Sequence, residues 1–337
     1  MRAAESLGWL DGVYFGNKDG KMVLDPIRPG IDGDARVFIT HAHADHTAGF
    51  SSPNPKYSAA ETKDMYESIS GKRVKRFQAI QPDRSVTFDG VTVTAVNAGH
   101  MLGSVQYEIT TPEQTVLYTG DINCVDTLTT NRAECPKCDT VVIEATYGDP
   151  FYVFPVREKV YAKIVDWVVR NARRGKAPLF RVYAAGKAQE IIRLVNLYTT
   201  IPVFADPKVA AASEVYNSRK PSLDFEPLVG TDIPLGAGRP HVYVTAAASR
   251  FLYSDRFVRA EATGWLLNRF KGGDGCFPLS SHADFDQLTR FVKETSARRA
   301  YIYTGFADQL SSYLRKKLRI DARPLQPISQ RRLSDFN

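Results

Sequence analysis

Short apolar runs alternate along this chain with amphipathic stretches, in the mixed order expected of an α/β protein. Apolar, β-prone runs bounded by turn-forming residues predict strands at 13–16, 22–24, 35–40, 86–89, 91–95, 115–119, 140–143, 178–183, 201–205, 241–246 and 301–304. Apolar residues at helical spacing predict helices at 59–70, 159–174, 187–196, 286–295 and 307–318. The first two strands are expected to form a hairpin around a turn at 17–20.

Residues suited to metal binding follow several of these strands directly. The strand at 35–40 leads into HAHADH at 41–46, which holds three of the chain's six histidines. Later strands end just before His100, Asp121 and Glu144. Imidazole and carboxylate are ligands that Zn²⁺ prefers, and neighbouring strand ends converge on one rim of a sheet. The pattern predicts a binuclear metal site, with Asp121 as the bridge, formed by His41, His43, Asp45, His46, His100 and Asp121.

Three further positions carry weaker local signals. Asp25 ends a strand before Pro26, so it either supports the ligand loop or only forms a turn. Gly186 and Lys187 open a helix after a strand, which is the geometry of a phosphate cradle but also a common helix start. His282 stands between a serine pair and a helix, where it faces solvent or a site. The basic residues around 170–187 fit either a solvated helix face or a nucleic-acid surface.

Composition narrows the classes of protein. The 337 residues have the apolar and charged fractions of a globular enzyme, and a net charge of +7 mildly favours an anionic partner such as nucleic acid. Residues 1–30 contain no secretory signal, and no apolar run approaches the roughly 20 residues that span a bilayer. We therefore expect a soluble monomer without membrane contact, cytoplasmic in a prokaryote or nuclear in a eukaryote.

Cys135 and Cys138 form a lone CxxC, which fits free thiols, a local disulfide or a small metal site.

Taken together, these motifs resemble those of metallo-β-lactamase-fold nucleases of the β-CASP class, over nearly the whole chain. HAHADH resembles the metal loop of that class, His100 and Asp121 match its third and fourth metal motifs, and Asp25 matches its preceding supporting aspartate. IEATYG at 143–148 and PLSSHADF at 278–285 are similar to the first and second β-CASP motifs, which makes Glu144 and His282 their functional residues.

The resemblance implies a metallo-β-lactamase αββα sandwich with an inserted α/β β-CASP domain. The sandwich would be built from residues 1–150 and 263–337, and the insertion would span 151–262. Because Thr304 stands where RNA-processing members carry a histidine, the chain resembles the DNA-repair branch of Artemis, Apollo and Pso2-like crosslink-repair nucleases. VYAAGKAQE at 182–190 resembles that branch's 5′-phosphate pocket around Gly186 and Lys187, although Ala184 replaces its serine.

The resemblance also implies the cofactors. A tight zinc ion would use His41, His43, His100 and Asp121, and a weaker divalent ion (zinc, magnesium or manganese) would use Asp45, His46 and Asp121. The site would activate water for attack on a phosphodiester. The expected catalytic residues are Asp45, Asp121, Glu144 and His282.

The expected function is a DNA-repair nuclease acting on single- or double-stranded DNA. It would act as a 5′→3′ exonuclease with structure-dependent endonuclease activity, leaving 5′-phosphate and 3′-hydroxyl ends. An RNA-processing nuclease on the same scaffold is the main alternative, since a fold alone does not determine the substrate. A small-molecule hydrolase agrees less well with Lys187 and His282, and a non-catalytic binding protein agrees less well with a complete ligand set.

Overall fold

The computed structural model describes residues 6–16, 20–31, 33–219, 222–228, 240–247, 256–268 and 275–326. The chain divides into two compact units. The first unit comprises Met1–Asp126, Arg132–Phe151 and His282–Asn337, and the second comprises Thr127–Asn131 and Tyr152–Ser281. The expected boundary after residue 150 lies beside the division at Phe151, whereas the second unit continues past the expected boundary at 262. The identity of the second unit as a β-CASP insertion remains a prediction.

The first unit contains two mixed sheets. One has the strand order β1-β2-β3-β4-β5-β6, with β1 Ser6–Trp9, β2 Val13–Gly16, β3 Lys21–Leu24, β4 Arg36–Phe38, β5 Lys56–Ser58 and β6 Phe77–Ala79. The other has the order β19-β18-β11-β10-β9-β8-β7, with β7 Ser85–Phe88, β8 Val91–Asn97, β9 Val105–Thr110, β10 Thr115–Tyr118, β11 Thr140–Ile143, β18 Arg299–Ile302 and β19 Asp321–Pro324. The antiparallel pair β2 and β3 confirms the predicted hairpin, whose turn at 17–19 lies outside the described residues.

The two sheets pack face to face. Phe15 and Phe38 from the first sheet share one buried cluster with Val93 and Tyr107 from the second. Side chains alternate between the faces of β10, because Val116 and Tyr118 point into this inner cluster while Leu117 points to the opposite face. Inner and outer faces are therefore both apolar, as a sheet covered on both sides requires.

Helices cover the outer faces of the first unit. Leu117 packs with residues of α5 (Phe285–Thr295) and α6 (Ala307–Tyr313), and a π-helical turn, Leu314–Leu318, follows α6. The outer face of the sheet formed by β1–β6 packs against α1 (Ala60–Ser70) through Tyr66. The layers run helix, sheet, sheet, helix, which confirms the predicted αββα sandwich.

The second unit is built on one all-parallel sheet. Its strand order is β14-β13-β15-β12-β16-β17, with β12 Ala177–Arg181, β13 Val203–Ala205, β14 Glu226–Pro227, β15 Val242–Thr245, β16 Phe257–Ala262 and β17 Cys276–Phe277. Among the described residues of this unit, the α-helices that connect or flank these strands are α2 Arg157–Arg173, α3 Lys187–Tyr198 and α4 Pro207–Asn217. Trp167 of α2 packs edge-on against Phe180 of β12 in the buried interior. No helix in the described part of the chain is long and apolar enough to cross a bilayer.

Candidate metal centre

One carboxylate oxygen in the first unit is surrounded by imidazole nitrogens. Asp121 Oδ2 lies 3.4 Å from His41 Nε2, 3.5 Å from His46 Nε2, 3.8 Å from His100 Nε2 and 4.0 Å from His282 Nε2. The strands explain this convergence. β8, β10 and β11 share one direction, so the loops after their carboxyl ends carry His100, Asp121 and Glu144 to the same edge.

Four of the predicted ligands form a compact donor set. The ligand atoms of His41, His43, His100 and Asp121 all lie within 4.8 Å of one another, with His100 Nε2 3.1 Å from His43 Nδ1. His41 Nε2 is buried and has no hydrogen-bond partner among the described residues. An orphaned buried nitrogen facing a buried carboxylate is costly unless a cation joins them. Three imidazoles and one carboxylate fit a four-coordinate zinc ion.

Asp25 organises the ligand loop from behind. Its Oδ2 accepts hydrogen bonds from Thr40 Oγ1 at 2.6 Å and from His46 Nδ1 at 2.9 Å, and its Oδ1 accepts one from the Thr40 N–H at 2.7 Å. The His41 Nδ1 lies 2.9 Å from Thr40 Oγ1. Because the Thr40 hydroxyl donates its proton to Asp25, it can only accept from His41. Both histidines therefore turn Nε2 towards Asp121, and Asp25 takes the supporting position expected of it.

The second predicted ligand set is only partly assembled around the same carboxylate. His46 reaches Asp121, but the Asp45 side chain is 80% exposed and its Oδ2 lies 3.7 Å from His46 Nε2. Asp45 belongs to none of the converging ligand groups found among the described residues. Its role as a ligand therefore remains a prediction.

The predicted pair Glu144 and His282 is also at this edge. His282 Nδ1 lies 3.0 Å from both carboxylate oxygens of Glu144, and Glu144 Oε1 accepts a hydrogen bond from the Ile122 N–H at 2.8 Å. The ligand atoms of Asp121, Glu144 and His282 converge within 4.8 Å, so these residues could also contribute to a second ion. Glu144 thus holds the His282 ring with Nε2 directed at Asp121.

The close packing of histidines and carboxylates shifts their pKa values in the metal-free protein. Burial, together with the neighbouring imidazoles, lowers the pKa of His41 well below its usual value. Burial raises the pKa of Asp121 to about 6, with Glu144 adding to the rise and His46 opposing it. Although burial opposes their charge, nearby carboxylates raise the pKa of His46 to about 10 and that of His282 to about 9. Binding of a cation by His46 would displace the proton from that ring.

Comparison with known proteins agrees with this geometry. Residues 19–172 match the family model described as "Beta-lactamase superfamily domain", and this range carries the HAHADH loop, His100, Asp121 and Glu144. The chain has the metallo-β-lactamase fold. A solved structure described as a protein of unknown function from Enterococcus faecalis V583 aligns with a TM-score of 0.61 at 13% identity, covering 89% of this chain and 92% of the other.

Two curated relatives share this fold region. A "Probable DNA ligase" from Opitutus terrae is 30% identical over 296 residues, which cover 84% of this chain and 28% of the relative. An "RNase J-like protein" from Methanocaldococcus jannaschii is 26% identical over 219 residues, which cover 56% of this chain and 52% of the relative. The chain therefore spans about half or less of the length of these relatives. The chain thus has the metallo-β-lactamase fold, and relatives of the β-CASP class are similar to it in sequence.

The predicted phosphate-binding residues of the second unit have other partners in the structure. The Lys187 side chain is 6% exposed, and its ammonium donates to Glu190 Oε2 at 3.1 Å. The Gly186 N–H donates to Gln189 Oε1 at 2.7 Å. The geometry gives no support to a phosphate cradle here, and that role stays a prediction.

Glu190 is the centre of this buried cluster. Its Oε1 accepts from Arg157 Nη2 at 2.7 Å and from the Tyr161 hydroxyl. Although burial opposes it, Arg157 and Lys187 lower the pKa of Glu190 to about 2, and burial lowers the pKa of Lys187 to about 8. The cluster links α2 to α3 inside the second unit.

Replacing Glu190 with alanine should therefore destabilise the second unit by about 3–5 kcal/mol, because two cations would be left buried without their carboxylate. Urea unfolding followed by fluorescence measures the loss. Glu158→Ala, which removes an exposed carboxylate from helix α2 of the same unit, is the control and should shift the midpoint little. Equal midpoints for both variants would contradict a stabilising role for the cluster.

None of the four cysteines forms a disulfide bond. Cys124, Cys135, Cys138 and Cys276 are all free thiols. Burial raises the pKa of Cys135 to about 11 and that of Cys138 to about 12, so both stay protonated at neutral pH. Of the three interpretations of the CxxC pair, the structure agrees with free thiols packed against the core.

Proposed function

We propose that this chain is a metal-dependent DNA nuclease that hydrolyses phosphodiester bonds in DNA repair. It acts as a 5′→3′ exonuclease with structure-dependent endonuclease activity and leaves 5′-phosphate and 3′-hydroxyl ends. The observation that carries the proposal is the buried donor set around Asp121, with the Glu144–His282 pair beside it.

The donor set supports hydrolysis through ions held by side chains of the first unit. His41, His43, His100 and Asp121 would hold a tight zinc ion, and His46, Asp45 and Asp121 would hold a weaker divalent ion. Bound divalent ions stabilise negative charge on phosphoryl oxygens and lower the pKa of an attacking water. Asp121 would orient the attacking water towards the phosphorus.

His282 acts on the leaving group of the reaction. With its pKa raised to about 9, its ring is protonated at neutral pH in the protein alone, and Glu144 fixes the direction of Nε2. Nε2 donates its proton to the leaving 3′-oxygen as the phosphorus–oxygen bond breaks. Glu144 positions this group and does not contact the substrate.

Two features favour DNA over RNA. Most of this chain is similar to a part of a relative named a probable DNA ligase, and a ligase joins the 3′-hydroxyl and 5′-phosphate ends that this hydrolysis leaves. Thr304, at the position where RNA-processing members carry a histidine, agrees with the DNA-repair branch. The enzyme acts as a monomer. Its basic residues bind the phosphate backbone of DNA, so its affinity for DNA falls as the salt concentration rises.

A panel of matched oligonucleotides tests this proposal. Single- and double-stranded DNA and RNA, each with a 5′-phosphate or a 5′-hydroxyl, are incubated with the zinc- or manganese-loaded protein. We expect stepwise shortening of DNA from the 5′ end, abolished by a chelator and absent from His41→Ala, which lacks one ligand of the tight ion. Product ends are identified by their susceptibility to phosphatase and ligase.

The RNA-processing alternative rests on the similarity to the RNase J-like protein. Cleavage of RNA with DNA left intact would establish it and overturn the proposal. If only the 5′-phosphorylated strands are degraded, Lys187→Ala tests whether its ammonium leaves Glu190 to bind that phosphate.

A further inference from the structure

Tyr118 lies behind the metal centre, where sequence motifs assign no residue. It is the last residue of β10, three positions before Asp121, and only 1% of it is exposed. Its hydroxyl donates a hydrogen bond of 2.9 Å to Asp25 Oδ2. Burial, with Asp25 adding to the effect, raises the pKa of Tyr118 well above its usual value, so the hydroxyl keeps its proton and remains a donor.

The bond from Tyr118 completes the hydrogen bonding of Asp25. Oδ1 accepts from the Thr40 N–H, and Oδ2 accepts from the Thr40 hydroxyl, the His46 ring and the Tyr118 hydroxyl. An ionised carboxylate has about two acceptor sites on each oxygen, so the three donors fully occupy Oδ2, while Oδ1 accepts a single bond. Asp25, His41 and His46 form a group that could hold a metal by distance alone, but Asp25 Oδ2 is already fully used by its three hydrogen-bond donors.

The backbone of Asp25 needs this support. Its φ of +45° lies in the left-handed region, which costs a residue other than glycine about 1–2 kcal/mol. The side-chain bonds hold the residue there, since they join Asp25 to Thr40 and His46 on one side and to Tyr118 at the end of β10 on the other. Tyr118 is the donor that comes from β10, the strand that also carries Asp121.

We propose that Tyr118 is a positioning residue of the metal centre. By tying Asp25 to β10, it fixes the carboxylate that orients His46 directly and His41 through Thr40, and it sets their distance from Asp121. The inference rests on the proposed metal-dependent function, but it concerns metal affinity and is tested without any nucleic acid. Loss of a group that directly orients a metal ligand weakens metal affinity by about 10- to 100-fold, and Tyr118 acts through such a group, Asp25.

The test is Zn²⁺ binding to the full chain after dialysis against a chelator. Tyr118→Phe keeps the ring in the core and removes only the hydroxyl. We expect its Zn²⁺ affinity, measured by calorimetry or by competition with a chromophoric chelator, to fall at least about 10-fold. Thr40→Val, which removes the hydroxyl between Asp25 and His41, should weaken binding as well, whereas Thr40→Ser should retain it.

Tyr107→Phe is the matched control. Tyr107 is equally buried in the same cluster, but its hydroxyl donates to the main-chain oxygen of Ile39 at 2.8 Å. Both tyrosine variants should lower the melting temperature of the metal-free protein to a similar extent, and only Tyr118→Phe should lose Zn²⁺ affinity. Equal affinities for the two variants would overturn the proposal, whatever the substrate of the enzyme. Absence of Zn²⁺ binding by the unaltered protein would instead overturn the metal-dependent function itself.

Discussion

Replacing Asp121 with alanine is expected to abolish hydrolysis and to release the bound metal. Four imidazole Nε2 atoms lie within 4.0 Å of its Oδ2, so this carboxylate faces every one of these rings. Loss of an outer partner costs about 10- to 100-fold, and loss of a ligand shared by two ions should exceed about 100-fold in activity and in Zn²⁺ affinity. Metal content after gel filtration and turnover of labelled DNA measure the two effects.

The control for this variant is Asp308→Ala, which removes an exposed carboxylate from α6 of the same unit. It should keep both metal and activity. Asp121→Asn separates charge from shape, because it retains the size of the side chain while losing the negative charge. Full zinc content in Asp121→Ala would mean that the ions are held elsewhere, and the donor set described above would be wrong.

The ligand positions were predictable because their signal is local. Three imidazoles and an acid within residues 41–46 are difficult to explain as a solvated loop. Single acids or histidines that follow short strands indicate that these side chains meet at one edge of the sheet. His41, His46, His100 and Asp121 accordingly lie together in the structure. The αββα layering was expected from the resemblance of the motifs, and it agrees with the structure, in which the apolar residues of β10 and β11 are covered on both faces.

The partners of Lys187 could not be predicted, because they depend on tertiary structure. A lysine after small residues at a helix start has the same local pattern whether it faces a phosphate or a carboxylate. The structure brings Arg157 and Tyr161 from another helix onto Glu190, and Lys187 joins that cluster. The role of Tyr118 was hidden for a similar reason, since an apolar strand residue and a buried donor look alike in sequence.

Several elements were too short or too irregular for pattern analysis. β5 and β6 have three residues each, and β14 and β17 have two, which is too few to show a period of two. Their existence depends on pairing with neighbours in the folded sheets. Helix α4 is not among the predicted helices, although it has the strong start signal of an aspartate cap followed by proline.

Gly120→Ala should disrupt the metal centre without changing any ligand. Gly120 has a φ of +53°, and a Cβ at this position would lie 2.7 Å from Thr40 Oγ1 and 2.8 Å from Thr40 Cβ. Thr40 cannot move aside without breaking its bonds to Asp25 and His41. We expect a loss of stability of at least about 2 kcal/mol, from left-handed strain and overpacking together.

The same substitution should lower Zn²⁺ affinity, because the added methyl group pushes Asp121 away from the histidines that Thr40 helps to orient. Gly71→Ala separates the two causes of instability: Gly71 also has a left-handed φ, +70°, but nothing lies within 4 Å of its Cβ position. That control should lose about 1 kcal/mol of stability and keep its zinc and its activity. If Gly120→Ala bound Zn²⁺ as tightly as Gly71→Ala, the close approach of Gly120 to Thr40 would not be what positions Asp121.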